Sequence, residues 1–128
     1  MNNKNVLINN LTKGKLLSLP FVKLKESILG KTYELSLVFV GQSLSQKLNK
    51  KYLGKDKPAN ILSFPLSNKS GEIIINLNQI KKEFPLSGKN YRDFLGSIVI
   101  HGLFHLKGMD HSSKMEEGED KLIKKFNF

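Results

Sequence analysis

The sequence contains no cysteine, which excludes disulfide bridges and every zinc site with a thiolate ligand. This absence agrees with a reducing compartment. No apolar run is long enough to span a membrane, and residues 1–8 lack the apolar segment of a secretory signal peptide. We therefore expect a cytoplasmic protein of one small domain, without a membrane partner.

Arginine is almost absent as well, because Arg92 is the only one. The formal net charge is nevertheless +10 at pH 7, so lysine carries almost all of the excess. Such an excess concentrates anions near the protein and favours polyanionic partners such as nucleic acid. Lysine-rich surfaces are also common for other reasons, including genome composition, so the charge alone is weak evidence for such a partner.

Histidine is scarce, and its placement is the strongest signal in the chain. All three histidines lie within residues 98–111. His101 and His105 are four residues apart, which places both imidazoles on one helix face. Gly108 can end that helix, and His111 can then return to the pair. A lone histidine on an apolar helix is usually a core residue, but chance rarely produces this complete ligand spacing.

The pattern H-x-x-x-H-x-x-G-x-x-H has the spacing of the metzincin zinc site without its glutamate. Three imidazoles suit one zinc-like ion and leave a position open for water. Such an ion lowers the pKa of its water to about 7, so metal-assisted hydrolysis is the expected reaction class. Nickel, cobalt and copper also accept three imidazoles, so the sequence leaves the native metal open.

Two residues beside the histidines bear on the mechanism. Gly102 stands where zincins carry their general-base glutamate, which argues against a zincin-type peptidase. We expect this small residue to leave room beside the ion for a bulky or charged substrate. Asp110 either orients an imidazole or accepts a proton from the reacting water, or it is a turn residue without a catalytic role.

Hydrophobic periodicity and turn residues predict the element order β-α-β-α-β-β-α-α-α. This order indicates a small single α+β domain in which helices cover one mixed sheet. The strand at residues 61–64 must end at Pro65 or lie at an edge, because proline cannot donate to a strand ladder. A hairpin is expected to join it to the strand at residues 72–76.

The helices carry the remaining structural predictions. In the second helix, an apolar face is expected from Leu44, Leu48 and Tyr52. Asn90 is expected to cap the helix that carries the first two histidines. Residues 94–106 of that helix are apolar nearly all round, which predicts a buried central helix.

The last helix is expected to begin at Ser113, with Glu116 completing a capping box. Acidic side chains crowd its first turns and lysines its last, which complements the helix dipole. We interpret these charges as a solvated face, with a docking role for the lysines as the alternative. The charged residues are Glu116, Glu117, Glu119, Asp120, Lys121, Lys124 and Lys125.

Residues 101–111, His-Gly-Leu-Phe-His-Leu-Lys-Gly-Met-Asp-His, resemble the HGxLHLxGxDH signature of the YbeY family of bacterial ribosomal-RNA maturation factors. Three upstream blocks agree with this resemblance. Residues 48–65 resemble the family block LN-x-x-YR-x-K-D-x-PTNVLSFP, residues 71–75 resemble its GDIVI strand, and residues 92–95 resemble the start of its histidine helix. The blocks follow one another in the family's order and span about half of the chain.

The resemblance implies a zinc-dependent, single-strand-specific endoribonuclease of α+β fold. Its expected roles are small-subunit ribosomal-RNA 3′-end maturation and ribosome quality control. His101, His105 and His111 become the ligands of one zinc ion, with nickel or another divalent metal as the alternative. The expected partners are single-stranded RNA, ribosomal RNA, and the ribosome or its proteins, but not DNA.

Basic and aromatic residues near the signature are the expected RNA contacts. The phosphate-binding candidates are Lys51, Lys55, Lys57 and Arg92. Single-stranded RNA also needs aromatic platforms. The aromatic candidates are Tyr52, Phe64 and Tyr91, although core packing is favoured for Phe64.

The chain departs from the family pattern at two positions. The family's tyrosine-arginine pair is Tyr52-Leu53 here, so a bidentate phosphate contact is missing. Lys51, Lys55 or Arg92 could substitute for it. Ala59 also replaces the family's threonine, which is a milder change.

Two other functions stay open at this point. A ribosome-assembly RNA-binding factor with a mainly structural metal is favoured by the missing general base and the missing arginine. A zincin-like peptidase fits the helix and the ligand spacing but not Gly102.

Overall fold

Four strands and five helices follow one another in the part of the chain that the computed structural model describes, residues 5–109 and 112–128. Their order confirms the predicted sequence of elements. They are β1 (Val6–Asn10), α1 (Phe21–Leu29), β2 (Glu34–Val40), α2 (Gln42–Leu53), β3 (Ile61–Ser67), β4 (Ser70–Asn76), α3 (Leu77–Glu83), a 3₁₀ turn (Phe84–Leu86), α4 (Tyr91–Leu106) and α5 (Ser113–Phe126).

The four strands form one mixed sheet in the order β1-β2-β4-β3. Strands β1, β2 and β4 are parallel, whereas β3 and β4 form the predicted antiparallel hairpin. Pro65 lies in β3 at the edge of the sheet, where its missing N–H breaks no ladder. A register shift between Pro65 and Ser67 marks an irregularity in this edge strand.

Helix α4 is the buried centre of the fold, as its all-round apolar sequence predicts. Its buried side chains, with Ile100 and Leu103 the most enclosed, join one core with α1 and one face of the sheet. Strand side chains on the opposite face of the sheet, such as Ile74, pack in a separate cluster that includes Leu48 of α2. In the described residues, no helix combines the length and apolar character needed to cross a membrane.

The predicted apolar face of α2 is wrong at two of its three positions. Leu44 is 39% exposed and Tyr52 is 55% exposed, while Leu48 is half-buried against the sheet. The buried positions of α2 belong to Ser45 and Asn49 instead.

The two buried polar side chains hold the loop between α2 and β3. Ser45 Oγ accepts the Ala59 N–H at 3.0 Å and donates to the Ala59 carbonyl at 2.8 Å. Asn49 Nδ2 donates to the Lys57 carbonyl at 2.9 Å. Because these bonds satisfy backbone groups of the loop, a polar face is more useful here than an apolar one. The loop that carries Lys55 and Lys57 is thereby fixed beside β3.

Helices α4 and α5 both begin with a side-chain cap, and the cap of α5 differs from the prediction. Asn90 caps α4 as expected, because its Oδ1 accepts the Asp93 N–H at 2.8 Å. The cap of α5 is Ser112 and not Ser113, since Ser112 Oγ accepts the Met115 N–H at 3.2 Å. Helix α5 begins at Ser113 as predicted, but the capping box with Glu116 is wrong, because Met115 is the third residue after the Ser112 cap.

Candidate functional site

A cleft of about 890 Å³ opens between α2, β3, α4 and α5. Its walls are mainly apolar, and two imidazoles lie in it. The lining residues are Tyr52, Leu53, residues 60–64, Ser97, Ile98, His101, His105, Glu119 and Ile123. No lysine or arginine of the described ranges is among them.

His101 and His105 present their rings to one another inside this cleft. As the four-residue spacing predicts, they occupy successive turns of one face of α4. The two Nε2 atoms are 3.0 Å apart, and the rings are nearly perpendicular at 88°. Both side chains are half-buried. The pair therefore offers two converging nitrogen atoms to a ligand that enters the cleft.

Glu119 of α5 contacts the other nitrogen of His101. Its Oε2 is 2.9 Å from His101 Nδ1. The sequence prediction missed this residue by assigning it to a solvated acidic face. A signal existed, because Glu119 lies between Met115 and Ile123 at four-residue spacing, on the apolar stripe that packs on the core. A carboxylate in such a stripe marks a position with a specific partner.

Gly118 lets α5 come close enough for this contact. A methyl group at Gly118 would lie 2.9 Å from the ring of Phe104, which belongs to α4. The close packing of the two helices brings the neighbouring Glu119 to His101.

Gly102 does not open space beside the histidines, contrary to the sequence-based expectation. A methyl group at Gly102 would lie 2.7 Å from Ile61 Cδ1 and 3.0 Å from Ser63 Oγ. The Ser63 hydroxyl also donates to the Gly102 carbonyl at 3.1 Å. Gly102 follows His101 by one residue, about 100° around the helix, and so faces β3. Its small size serves the close packing of α4 on the sheet.

The donor set fits one part of a zinc site. Two imidazole nitrogens bound to one tetrahedral zinc ion are about 3.3 Å apart, close to the 3.0 Å between the two Nε2 atoms. Metal-bound histidines commonly donate their other N–H to a carboxylate, as His101 does to Glu119. Within residues 5–109 and 112–128, no group of three histidine, cysteine or acidic side chains could hold an ion. The predicted ligand His111 and its neighbour Asp110 lie outside the described residues.

The predicted phosphate-binding residues fall in two places. Lys51, Lys55 and Lys57 are exposed on α2 and the loop that follows it, next to the cleft residues Tyr52 and Leu53. Arg92 lies at the other end of α4 from the histidines and does not line the cleft. Its Nη1 is 3.0 Å from an Asp93 oxygen, and its guanidinium lies 4.9 Å from the centre of the Phe128 ring.

The predicted aromatic residues also lie in two different places. Tyr52 and Phe64 both line the cleft, with ring centroids 5.2 Å apart. Tyr91 packs on Phe84 outside the cleft, and burial raises the pKa of its hydroxyl. Leu53, which stands where the family resemblance implies an arginine, is 55% exposed at the cleft.

Comparison with known proteins identifies the family. A family model described as Endoribonuclease YbeY matches residues 3–127. This chain belongs to the YbeY family. The Endoribonuclease YbeY of Persephonella marina is 30% identical over 127 residues, with 89% of this chain and 83% of that protein covered. The resemblance inferred from the histidine signature and the upstream blocks is thereby confirmed.

Two further comparisons concern length and fold. The Endoribonuclease YbeY of Halalkalibacterium halodurans is 34% identical over 102 residues, which cover 67% of this chain and 64% of that relative. The chain thus spans slightly less than two thirds of that relative's length. The solution structure of TM1509 from Thermotoga maritima is 28% identical and superimposes with a TM-score of 0.65 over 93% of this chain and 87% of that one.

Proposed function

We propose that this chain is a zinc-dependent, single-strand-specific endoribonuclease. Its cellular roles would be small-subunit ribosomal-RNA 3′-end maturation and ribosome quality control in the cytoplasm. The observation that carries the proposal is the convergence of the His101 and His105 Nε2 atoms, 3.0 Å apart, inside a cleft. The name Endoribonuclease YbeY of the matching family supports the reaction class.

His101, His105 and His111 would hold the ion, and Glu119 would support the first of them. When bound, a zinc ion supplies Lewis-acid stabilisation of a phosphoryl oxygen and an activated water near neutral pH. Ile98 and Ile123 give the cleft apolar wall sections, which strengthen charge interactions close to them. Asp110 is retained as the candidate for orienting an imidazole or accepting a proton.

The distribution of charge suggests how a strand would bind. The cleft lining contains no described lysine or arginine, so the ion held there would be the cation for the scissile phosphate, while the apolar walls suit bases and the exposed rim suits the flanking phosphates. Lys51, Lys55 and Lys57 are the rim cations on the cleft side. As lysines they act as point charges and do not replace the bidentate contact that Leu53 lacks. Arg92 is proposed only as a distant contact to a longer RNA.

Strand specificity tests this proposal directly. We expect the purified protein to cleave a labelled single-stranded RNA at least about 10-fold faster than the same strand in a duplex, because only unpaired bases can enter such a cleft. Initial rates by denaturing gel measure this. A DNA strand of the same sequence is the control and should stay intact. Equal rates on single-stranded and duplex RNA would contradict the proposed specificity.

Tyr52 provides a second test, on binding. We expect Tyr52→Ala to weaken binding of single-stranded RNA about 10-fold, because stacking on an aromatic ring contributes roughly 1–3 kcal/mol per base. Fluorescence anisotropy with a labelled oligonucleotide gives the Kd. The side chain is exposed, so its truncation opens no core cavity. Tyr52→Phe retains the ring and should bind like wild type. If alanine and phenylalanine bind equally well, the ring is not a platform.

The alternative is an RNA-binding assembly factor with a structural metal. Leu53 at the arginine position is the observation that favours it. A zincin-like peptidase is disfavoured further by the structure, because Gly102 packs on β3 where a glutamate would not fit.

A further inference from the structure

Glu119 occupies a position on α5 at which the helix packing favours an apolar side chain. It lies between Met115 and Ile123 on the face of α5 that packs on the core. Only 19% of its side chain is exposed, and only 28% of that of its partner His101. A carboxylate that is largely removed from water needs a polar partner to offset its lost hydration. The partner is His101 Nδ1, 2.9 Å from Oε2.

This contact fixes which nitrogen of His101 carries the proton. An ionised carboxylate only accepts hydrogen bonds, so Nδ1 must be the donor. In the other tautomer, the Nδ1 lone pair would face the carboxylate at 2.9 Å, with both side chains largely removed from water. In the neutral ring the lone pair is therefore on Nε2, the atom that lies 3.0 Å from His105 Nε2. An imidazole must present such a lone pair to bind a metal ion.

The position of Glu119 is also held by its surroundings. Ser112 caps the start of α5, and Met115 is buried. Gly118 allows the helix to touch Phe104 of α4. Ile123 follows Glu119 and also packs against the core, so the helix is fixed on both sides of the carboxylate.

We propose that Glu119 is a positioning residue that holds His101 as the Nδ1–H tautomer. It thereby sets the zinc affinity of the histidine cluster, the site proposed for His101, His105 and His111. The inference rests on the proposed metal site for its consequence. Its structural part, the choice of tautomer, concerns the protein alone and can be measured without metal.

The first experiment measures the tautomer in metal-free protein. Imidazole ¹⁵N chemical shifts of labelled histidine distinguish protonated from unprotonated nitrogens. We expect His101 of the wild type to be protonated at Nδ1. Glu119→Met removes the acceptor, keeps a similar length and suits the apolar stripe, so it should fold and lose this preference. Glu119→Gln retains an acceptor oxygen and should retain the tautomer.

The second experiment measures zinc affinity by competition with a chromophoric chelator. We expect Glu119→Met to bind zinc about 10- to 100-fold more weakly than wild type, with Glu119→Gln in between. Glu117→Met is the matched control, because Glu117 is exposed on the same helix and lines no part of the cleft. It should bind zinc like wild type.

The outcomes separate this inference from the proposed function. If Glu119→Met keeps the wild-type tautomer, or binds zinc within about twofold of wild type, Glu119 is not a positioning residue. A wild-type protein that binds no zinc would overturn the proposed metal site, while the tautomer measurement would still decide what Glu119 does to His101.

Discussion

The His105→Ala variant is expected to cleave single-stranded RNA at least about 10³-fold more slowly than wild type, equivalent to ~4 kcal/mol of transition-state stabilisation. The substitution leaves the Nε2 atom of His101 without its converging partner, 3.0 Å away. The two imidazoles that remain cannot retain an ion as three do. Initial rates on a labelled oligonucleotide, at protein concentrations above the wild-type KM, measure the loss.

The variant should remain folded, which makes the result interpretable. His105 is half-buried in the wall of the cleft and is not part of the hydrophobic core. Its truncation opens space to solvent, so we expect a change of no more than about 1 kcal/mol in the free energy of unfolding. Thermal unfolding followed by circular dichroism checks this.

Contaminating nucleases require a control that is purified in the same way. Asn9→Ala is suitable, because Asn9 is exposed on the edge strand β1 and lines no part of the cleft. It should retain the wild-type rate. Undiminished cleavage by His105→Ala, with the same rate for the control, would remove the histidine cluster from the active site.

The elements and the histidine pair were predictable because they depend on local sequence. The 3.6-residue period of α4 places His101 and His105 on one face, and this placement does not depend on tertiary packing. The hairpin of β3 and β4 follows from turn residues between two apolar runs. The edge position of Pro65 follows from its missing N–H.

The apolar face predicted for α2 is wrong because the loop between α2 and β3 requires hydrogen-bond partners from this helix. Ser45 and Asn49 are buried because the backbone at Ala59 and Lys57 needs partners. Those partners are 14 and 8 residues away in sequence. Periodicity ranks side chains by hydropathy and cannot identify a backbone group that arrives from elsewhere. Polar residues of a helix near an irregular loop are therefore also candidates for hydrogen bonds to the backbone of that loop.

Glu119 and Gly102 were misinterpreted for a related reason. Glu119 acts across 18 residues of sequence, through helix packing that α5 alone does not reveal. Gly102 was interpreted from the zincin pattern as space beside the ion. Its neighbours Ile61 and Ser63 belong to a strand about 40 residues earlier, and only the packed structure shows that they fill this space.

Removal of metal is the test that separates the enzyme from the assembly factor. We expect a chelator to reduce cleavage to background and added zinc to restore it, because the proposed chemistry needs the ion. Magnesium should not restore cleavage, since it prefers oxygen ligands to imidazole. Cleavage that persists in protein shown by elemental analysis to be metal-free would contradict the metal dependence.

The same chelated protein should remain folded with a cooperative unfolding transition. The core formed by side chains such as Leu37, Ile73, Ile100 and Leu103 packs α4 on the sheet without using the histidines. Loss of a bound ion lowers the free energy of unfolding by mass action alone, by about 4 kcal/mol at a thousand-fold excess over Kd, and the unfolding temperature falls with it. A lower midpoint therefore does not identify a structural metal, but loss of the transition does. If chelation unfolds the chain at 25 °C and no cleavage is found before or after, the metal is structural and the assembly-factor interpretation is correct.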